Sequence, residues 1–444
     1  MWGRGRSEDP LLPDHLLDRA VIEPIGRSEE DAWLFEVLGS AATGSLALSR
    51  SRRSAQGAPL PPSHLWPPAA ATLARTRIPD HAFSESDRLL ARPQEAARDP
   101  RLALGRLCWT HWSQHGLTAH DGAFAPDDPV VRRALGQTQS ATSLRRLLRD
   151  PLGFVWRHVL GWRAVETTTL QLSLDPRTFG ELVHELLRLA VAALEPVPGF
   201  ARASPSAVEA AATAAAQGVL ADWPLTRAVP PPLLWRRSVD EAARLACEAL
   251  VLDDTQPGTR SWTEAAFGDA AVSATAGEGP WDPVSPILFG DLRVRGRIDR
   301  LDLRPAGDAA RVTDYKTGAV PRRLDTLVLG QGVEVQRVLY AAAARQLLPD
   351  LRQTVSRLVY LRDGPACASL TGEPLDAAIA EAEGFVRIAT GLLRAGAAAP
   401  GPDALESYND LRLALPAALD LYLRRKGAAF EASAGPLRPL WSRP

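Results

Sequence analysis

DLRVRGRIDRLDLRPAGDAARVTDYKTG, residues 291–318, reads as two strands joined by a turn. Val294, Ile298, Leu301 and Leu303 are the apolar positions of the first run, and Val312 and Tyr315 those of the second. Pro305-Ala306-Gly307-Asp308 between them has turn chemistry. A hairpin symmetric about Ala306 and Gly307 sets Asp299 directly opposite Asp314. Opposed residues hold their Cβ atoms roughly 4.5–5.5 Å apart. Two carboxylates that close repel unless a cation lies between them, and hard divalent cations favour such oxygen pairs. Lys316 follows Asp314 by two residues, so strand alternation turns both to one face. Two acids and one amine converge on one point.

The bland alternative is an exposed hairpin with a surface Asp314–Lys316 ion pair. Composition argues against it. Among 51 basic residues, lysine occurs only at Lys316 and Lys426. Arginine is a permanently charged fork, whereas an ammonium is a compact point charge able to contact a nucleophilic water or a phosphate. A chain that almost never uses lysine has placed one beside this aspartate.

At 444 residues the chain has room for two or three domains. Its 45% hydrophobic and 23% charged content is that of an ordinary soluble protein. A net charge of −1 excludes a global field for nucleic acid, so any such contact must come from local arginine clusters. No apolar run is long enough for a bilayer and MWGRGRSEDP at the start lacks a signal-peptide core, so the expectation is a cytoplasmic protein with no membrane partner. Cys108, Cys247 and Cys367 are an odd, widely spaced set that argues against a disulfide framework. No Walker A pattern is present, so no ATPase site can be argued.

Along the chain, Asp31–Leu48 reads as a helix followed by a strand, and residues 51–68 read as a loop by composition. Cys108, His111, His115 and His120 offer zinc-type ligands, but Leu107, Trp109 and Trp112 among them favour an ordinary packed helix. Thr178-Phe179-Gly180-Glu181 reads as a capping box opening a helix, with Leu182, Val183, Leu186, Leu187 and Ala190 as its apolar content. His184 lies one turn in, where a satisfied, half-buried histidine is the plain alternative. Residues 196–285 are Ala/Pro-rich and read as a helical insertion. Gln336 and Tyr340, at i and i+4, share one helix face. Thr354–Arg362 reads as a strand and Leu375–Arg394 as an amphipathic helix. In the tail, Arg424, Arg425 and Lys426 read as a phosphate contact or a solvated end.

Asp299 followed by Asp314-x-Lys316 resembles the PD-(D/E)XK nuclease signature, and GRIDRLD…VTDYKTG is similar to its RecB/AddB branch. Gly180-x-x-x-His184 and Gln336-x-x-x-Tyr340 match that branch's first and fourth motifs in the expected order. SATSLRRLLRDPLGFVWRHVLGW, from Ser140, resembles its entry segment, with Asp150 where many relatives carry a cluster cysteine.

The resemblance implies an α/β restriction-endonuclease-like core, a mixed sheet flanked by helices with large helical insertions. It implies three parts: residues 1–135 as a remnant of a helicase-like region, 136–400 as the nuclease domain, and 401–444 as a helical tail. It implies a deoxyribonuclease, exonuclease before endonuclease, using Mg²⁺ or Mn²⁺ held by His184, Asp299, Asp314 and the Tyr315 carbonyl. Lys316 would act on water and phosphate, and Gln336 and Tyr340 would place DNA, with Arg322 and Arg323 on the backbone. The implied setting is double-strand-break repair beside an AddA-like helicase-nuclease partner. An anti-phage or CRISPR-adaptation nuclease and a non-catalytic DNA-binding scaffold are the alternatives. An iron–sulfur cluster requires thiolates, so none is expected from three scattered cysteines.

Overall fold

The 291–318 hairpin forms as two antiparallel strands at the middle of a mixed sheet. The computed structural model describes residues 27–51, 60–67, 89, 92–164, 172–195, 199–251, 255–269, 279–406 and 408–443. Its strands are β1 (Gln139–Ser140), β2 (Arg260–Phe267), β3 (Ile287–Phe289), β4 (Leu292–Leu303), β5 (Ala309–Lys316), β6 (Gln353–Tyr360) and β7 (Ala366–Thr371). They make one sheet of seven strands ordered β1-β4-β5-β6-β7, with β2 and β3 also paired to β4. β5 and β6 run parallel, which forces a crossover between them, and the remaining major pairs are antiparallel. This is the α/β restriction-endonuclease-like architecture.

The chain divides into one unit of residues 1–107 and another of 108–444. In the first, the expected helix forms as α1 (Arg27–Ala41), while residues 42–51 carry no strand. Helix α2 covers Pro100–Ser113. In the second unit the helices of nine or more described residues are α3 (Ala141–Arg149), α4 (Pro176–Leu194), α5 (Pro205–Thr226), α6 (Pro232–Val251), α7 (Val335–Leu347), α8 (Gly372–Arg394) and α9 (Leu419–Ala434).

Both faces of the sheet are covered. On one, Leu144 and Leu147 of α3, Val338 and Leu339 of α7 and Val386 and Leu393 of α8 bury against Val294, Ile298 and Leu301. On the other, α4, α5 and α6 bundle through Leu182, Leu186, Val219, Trp235 and Leu245, and the bundle closes on Tyr315 and Val359. Reading 196–285 as wholly helical needs correction. Helix Pro232–Val251 is the last one among the described residues of that stretch, and Arg260–Phe267 is β2, a core strand beside β4. Its residues, RSWTEAAF, mix polar, small and aromatic types without an apolar alternation, which is why the strand does not show in the sequence. It runs in one register with β4 on both sides of Glu264, a left-handed residue at φ 53°.

The tail is stapled by ion pairs. Arg149 Nε meets Asp403 at 2.6 Å, and Arg146 and Arg157 both reach Asp410. Lys426 is fully buried, with Nζ 2.7 Å from Asp121 Oδ2 and further bonds to the carbonyls of His111 and Gly116. Tyr422 donates its hydroxyl to the other Asp121 oxygen at 2.8 Å. Neither reading of Lys426, phosphate contact or solvated end, survives this burial. The histidines do not gather as zinc ligands: His111 and His120 meet at 2.8 Å, while His115 turns to the Arg425 carbonyl.

Candidate active site

Helix α4 opens on Asp175, whose carboxylate accepts from the N–H groups of Arg177 and Thr178, with Pro176 at the first helical position. That start corrects the capping box read at Thr178. Glu181 instead pairs with Arg177 at 3.2 Å. A Cβ added to Gly180 would come within 3.3 Å of Thr317 Oγ1, so the glycine lets α4 settle on the end of β5. One turn on, His184 Nε2 is 3.0 Å from the Tyr315 carbonyl oxygen, and Nδ1 is 3.5 Å from Asp299 Oδ2.

Strand pairing brings the acids to one level. Arg300 faces Thr313 across β4 and β5 in the last pair of that ladder, and Asp299 and Asp314 are the next residue on each strand, close enough for the Asp299 charge to push Asp314 up. On the other edge of β4, Thr263–Arg300 and Ala265–Ile298 pairs bracket Glu264 against Asp299. Asp299 is therefore flanked by a carboxylate on each side. Its Oδ2 also accepts the Tyr315 N–H at 2.8 Å. Lys316 Nζ lies 2.6 Å from Asp314 Oδ2 and donates to Gln336 Oε1 at 3.2 Å, and the Gln336 amide donates to the Tyr340 hydroxyl. Tyr340 itself is buried behind Gln336, edge-on to Phe267.

These groups titrate away from their ordinary values. Burial alone would lower His184, but Asp299 outweighs it by charge and hydrogen bond and raises the imidazole to about 9. Burial alone would raise Asp299, but His184 and the Tyr315 N–H outweigh it and hold it low. Burial pushes Asp314 up to about 6, with Lys316 pulling down and Asp299 pushing up. Burial, then Asp299, likewise raises Glu264 to about 6. For Lys316, Asp314 and Glu334 overcome burial and drive the ammonium up, so it stays charged.

His184, Glu264 and Asp299 present ligand atoms within 4.8 Å of one another, the one such group among the described residues. The Tyr315 carbonyl lies against the same imidazole. Carboxylate, carbonyl and imidazole donors in this proportion fit a hard divalent ion. Asp314 stands outside that group, its carboxylate turned to Lys316. All of these side chains open on a cleft of about 1440 Å³.

The cleft takes in His184, Asp299, Asp314, Tyr315, Lys316 and Gln336 of the residues expected from sequence. Arg322 and Arg323 are exposed on the loop after β5 and do not line it. The basic walls are Arg177, Arg188, Arg227, Arg260 and Arg297 instead. Sequence reasoning missed Glu264 and Glu334. The second had a signal, an acid two residues before Gln336 at the start of its helix.

Among curated proteins none matches the chain. The family model of the PD-(D/E)XK nuclease superfamily matches residues 138–407, more than half of the sequence and every acid and amine just described. With that match on the Asp299–Asp314–Lys316 hairpin, the chain belongs to the PD-(D/E)XK nuclease superfamily, whose members use divalent metal ions.

Proposed function

We propose that the chain is a deoxyribonuclease of the RecB/AddB type, using Mg²⁺ or Mn²⁺. Supporting this reading above all is the meeting of His184, Asp299 and the Tyr315 carbonyl beside Asp314 and Lys316. His184, Glu264, Asp299 and the Tyr315 carbonyl would hold the ion, with Asp314 joining them when it leaves Lys316. A divalent ion there supplies Lewis-acid activation of water and neutralises charge on the phosphate.

The chain's own groups do the rest. Lys316 keeps its proton, so it acts as a charge and donor on water and the phosphate oxygens rather than as a base. Gln336 fixes the ammonium from one side and is itself fixed by Tyr340. Arg188, Arg227, Arg260 and Arg297 on the cleft walls take phosphates on either side of the scissile bond.

We further propose exonuclease action in double-strand-break repair beside an AddA-like motor partner. The order of the four motifs supports this, and so does the lack of an ATP-binding loop in the sequence. The test is cleavage of linear and circular DNA, single- and double-stranded, by the purified chain with Mg²⁺ or Mn²⁺, alone and with the motor. The expected result is metal-dependent loss of linear DNA that Asp314→Asn abolishes and that the motor accelerates on duplex. Equal cleavage by Asp314→Asn would refute the site, and rapid ATP-independent digestion of long duplex by the lone chain would refute the need for a motor.

A further inference from the structure

Lys316 has a second carboxylate beside it that no motif contains. Its Nζ is 2.6 Å from Asp314 Oδ2 and 3.6 Å from Glu334 Oε2. Glu334 is only 7% exposed, at the start of α7. The Tyr360 hydroxyl donates to its Oε1 at 3.1 Å, which fixes the carboxylate's direction. Its Oε2 is buried and takes no hydrogen bond. A buried carboxylate oxygen is not left without a donor at no cost, and the ammonium within reach is Lys316. The preceding turn makes room for this side chain: a Cβ on Gly330, at φ 51°, would lie 3.2 Å from Glu334 Cγ. Arg337 adds its field to Glu334 but directs Nη1 to the Leu327 carbonyl.

We propose that Glu334 is the second seat of the Lys316 ammonium, receiving it when Asp314 turns its carboxylate to the metal ion. The proposal rests on the reading of Asp299 and Asp314 as metal ligands. An ammonium and a divalent ion on one carboxylate repel each other, so Asp314 cannot serve both at full strength. A shift of roughly 1 Å brings Nζ from 3.6 Å to charge-assisted hydrogen-bond distance of Oε2. The Gln336 contact can persist through so small a movement, and the ammonium remains at the cleft. Glu334 is thus a positioning residue. It lets Lys316 leave the metal's ligand without losing its countercharge.

The test reads metal affinity rather than cleavage. Mn²⁺ is titrated by calorimetry into wild type, Glu334→Gln, Tyr360→Phe, Lys316→Met and the Glu334→Gln/Lys316→Met double variant, with melting curves as a check on folding. The expected Mn²⁺ Kd rises on the order of tenfold in Glu334→Gln and a few-fold in Tyr360→Phe, which only loosens Glu334. It falls in Lys316→Met, where nothing competes for Asp314. The Glu334→Gln effect shrinks below about threefold once Lys316 is methionine. A Glu334→Gln Kd within twofold of wild type overturns the proposal. So does an equal loss in both backgrounds, which would mean that Glu334 acts on the ion directly. Wild-type binding unchanged by Asp314→Asn overturns the metal-site reading as well, and so separates the two failures.

Discussion

Metal binding should expel a proton from His184, and the structure gives the size of the effect. The imidazole touches the Tyr315 carbonyl at 3.0 Å and Asp299 at 3.5 Å, and its pKa is raised to about 9. A coordinating imidazole must be neutral, so each proton bound to His184 competes with the ion. Well below pH 9 the Mn²⁺ Kd should rise tenfold for each unit of falling pH, about 1.36 kcal/mol per unit. Between pH 8.5 and 7.0 that amounts to roughly twentyfold. Near pH 6 the slope should steepen as Glu264 and Asp314, each raised to about 6, begin to take up protons. The fold without added metal should show the opposite trend from this group. A pKa raised above its unfolded value of about 6.5 gives stability that is complete below pH 6.5 and lost as pH rises through about 9. The assay is Mn²⁺ calorimetry across pH, run in two buffers of different protonation enthalpy to count the protons released. One proton per ion at pH 7.5 is expected, and His184→Ala should flatten the slope above pH 6.5. A wild-type Kd constant between pH 7.0 and 8.5, or a slope untouched by His184→Ala, would refute the assignment.

Four further outcomes can be checked at the bench. Asp299→Asn and Asp314→Asn should each cut Mg²⁺-dependent cleavage on the order of 10²-fold or more. Asp314→Asn should leave the melting temperature unchanged or higher, because it relieves a carboxylate that burial raises, whereas Asp299→Asn should lower it, because it removes the partner that holds His184. Lys316→Ala should lose turnover comparably yet bind Mn²⁺ at least as tightly, and Lys316→Arg should rescue little, since a planar fork does not replace an ammonium. Glu264→Gly should raise stability in chelator by about 1 kcal/mol, because it relieves the left-handed backbone at φ 53°, while weakening Mn²⁺ binding. Lys426→Met should cost roughly 3–5 kcal/mol in denaturant unfolding by stranding the buried Asp121, and adding Asp121→Asn should recover much of it.

The 291–318 hairpin was legible because its chemistry is local. Asp299, Asp314 and Lys316 lie within 18 residues of one another, and a symmetric turn plus strand alternation suffices to gather them. His184 and Gln336 were legible for a different reason, helix spacing read together with motif order. What escaped was set by tertiary pairing. Glu264 reaches Asp299 only because β2 lies against β4, and the residue types of β2, RSWTEAAF, carry no apolar alternation that would have announced the strand. The arginines of the cleft wall come from α4, the α5–α6 junction, β2 and β4, so no window of sequence holds them together, whereas Arg322-Arg323, basic and adjacent in sequence, is exposed on the loop after β5 and is not among the residues lining the cleft.

Both lysines of the chain end beside buried aspartates, one in the 291–318 hairpin and one in the staple of the tail. Their environments decide what each can do. Lys426 has three fixed acceptors within 2.9 Å and full burial, so its charge is spent on architecture. Lys316 is partly open to the cleft and shares itself among Asp314, Gln336 and Glu334, one of them beyond hydrogen-bond range. An ammonium that is over-satisfied is a rivet. One that is held by competing acceptors at unequal distances can move when a stronger cation claims its first partner, and that freedom is the role proposed for Lys316.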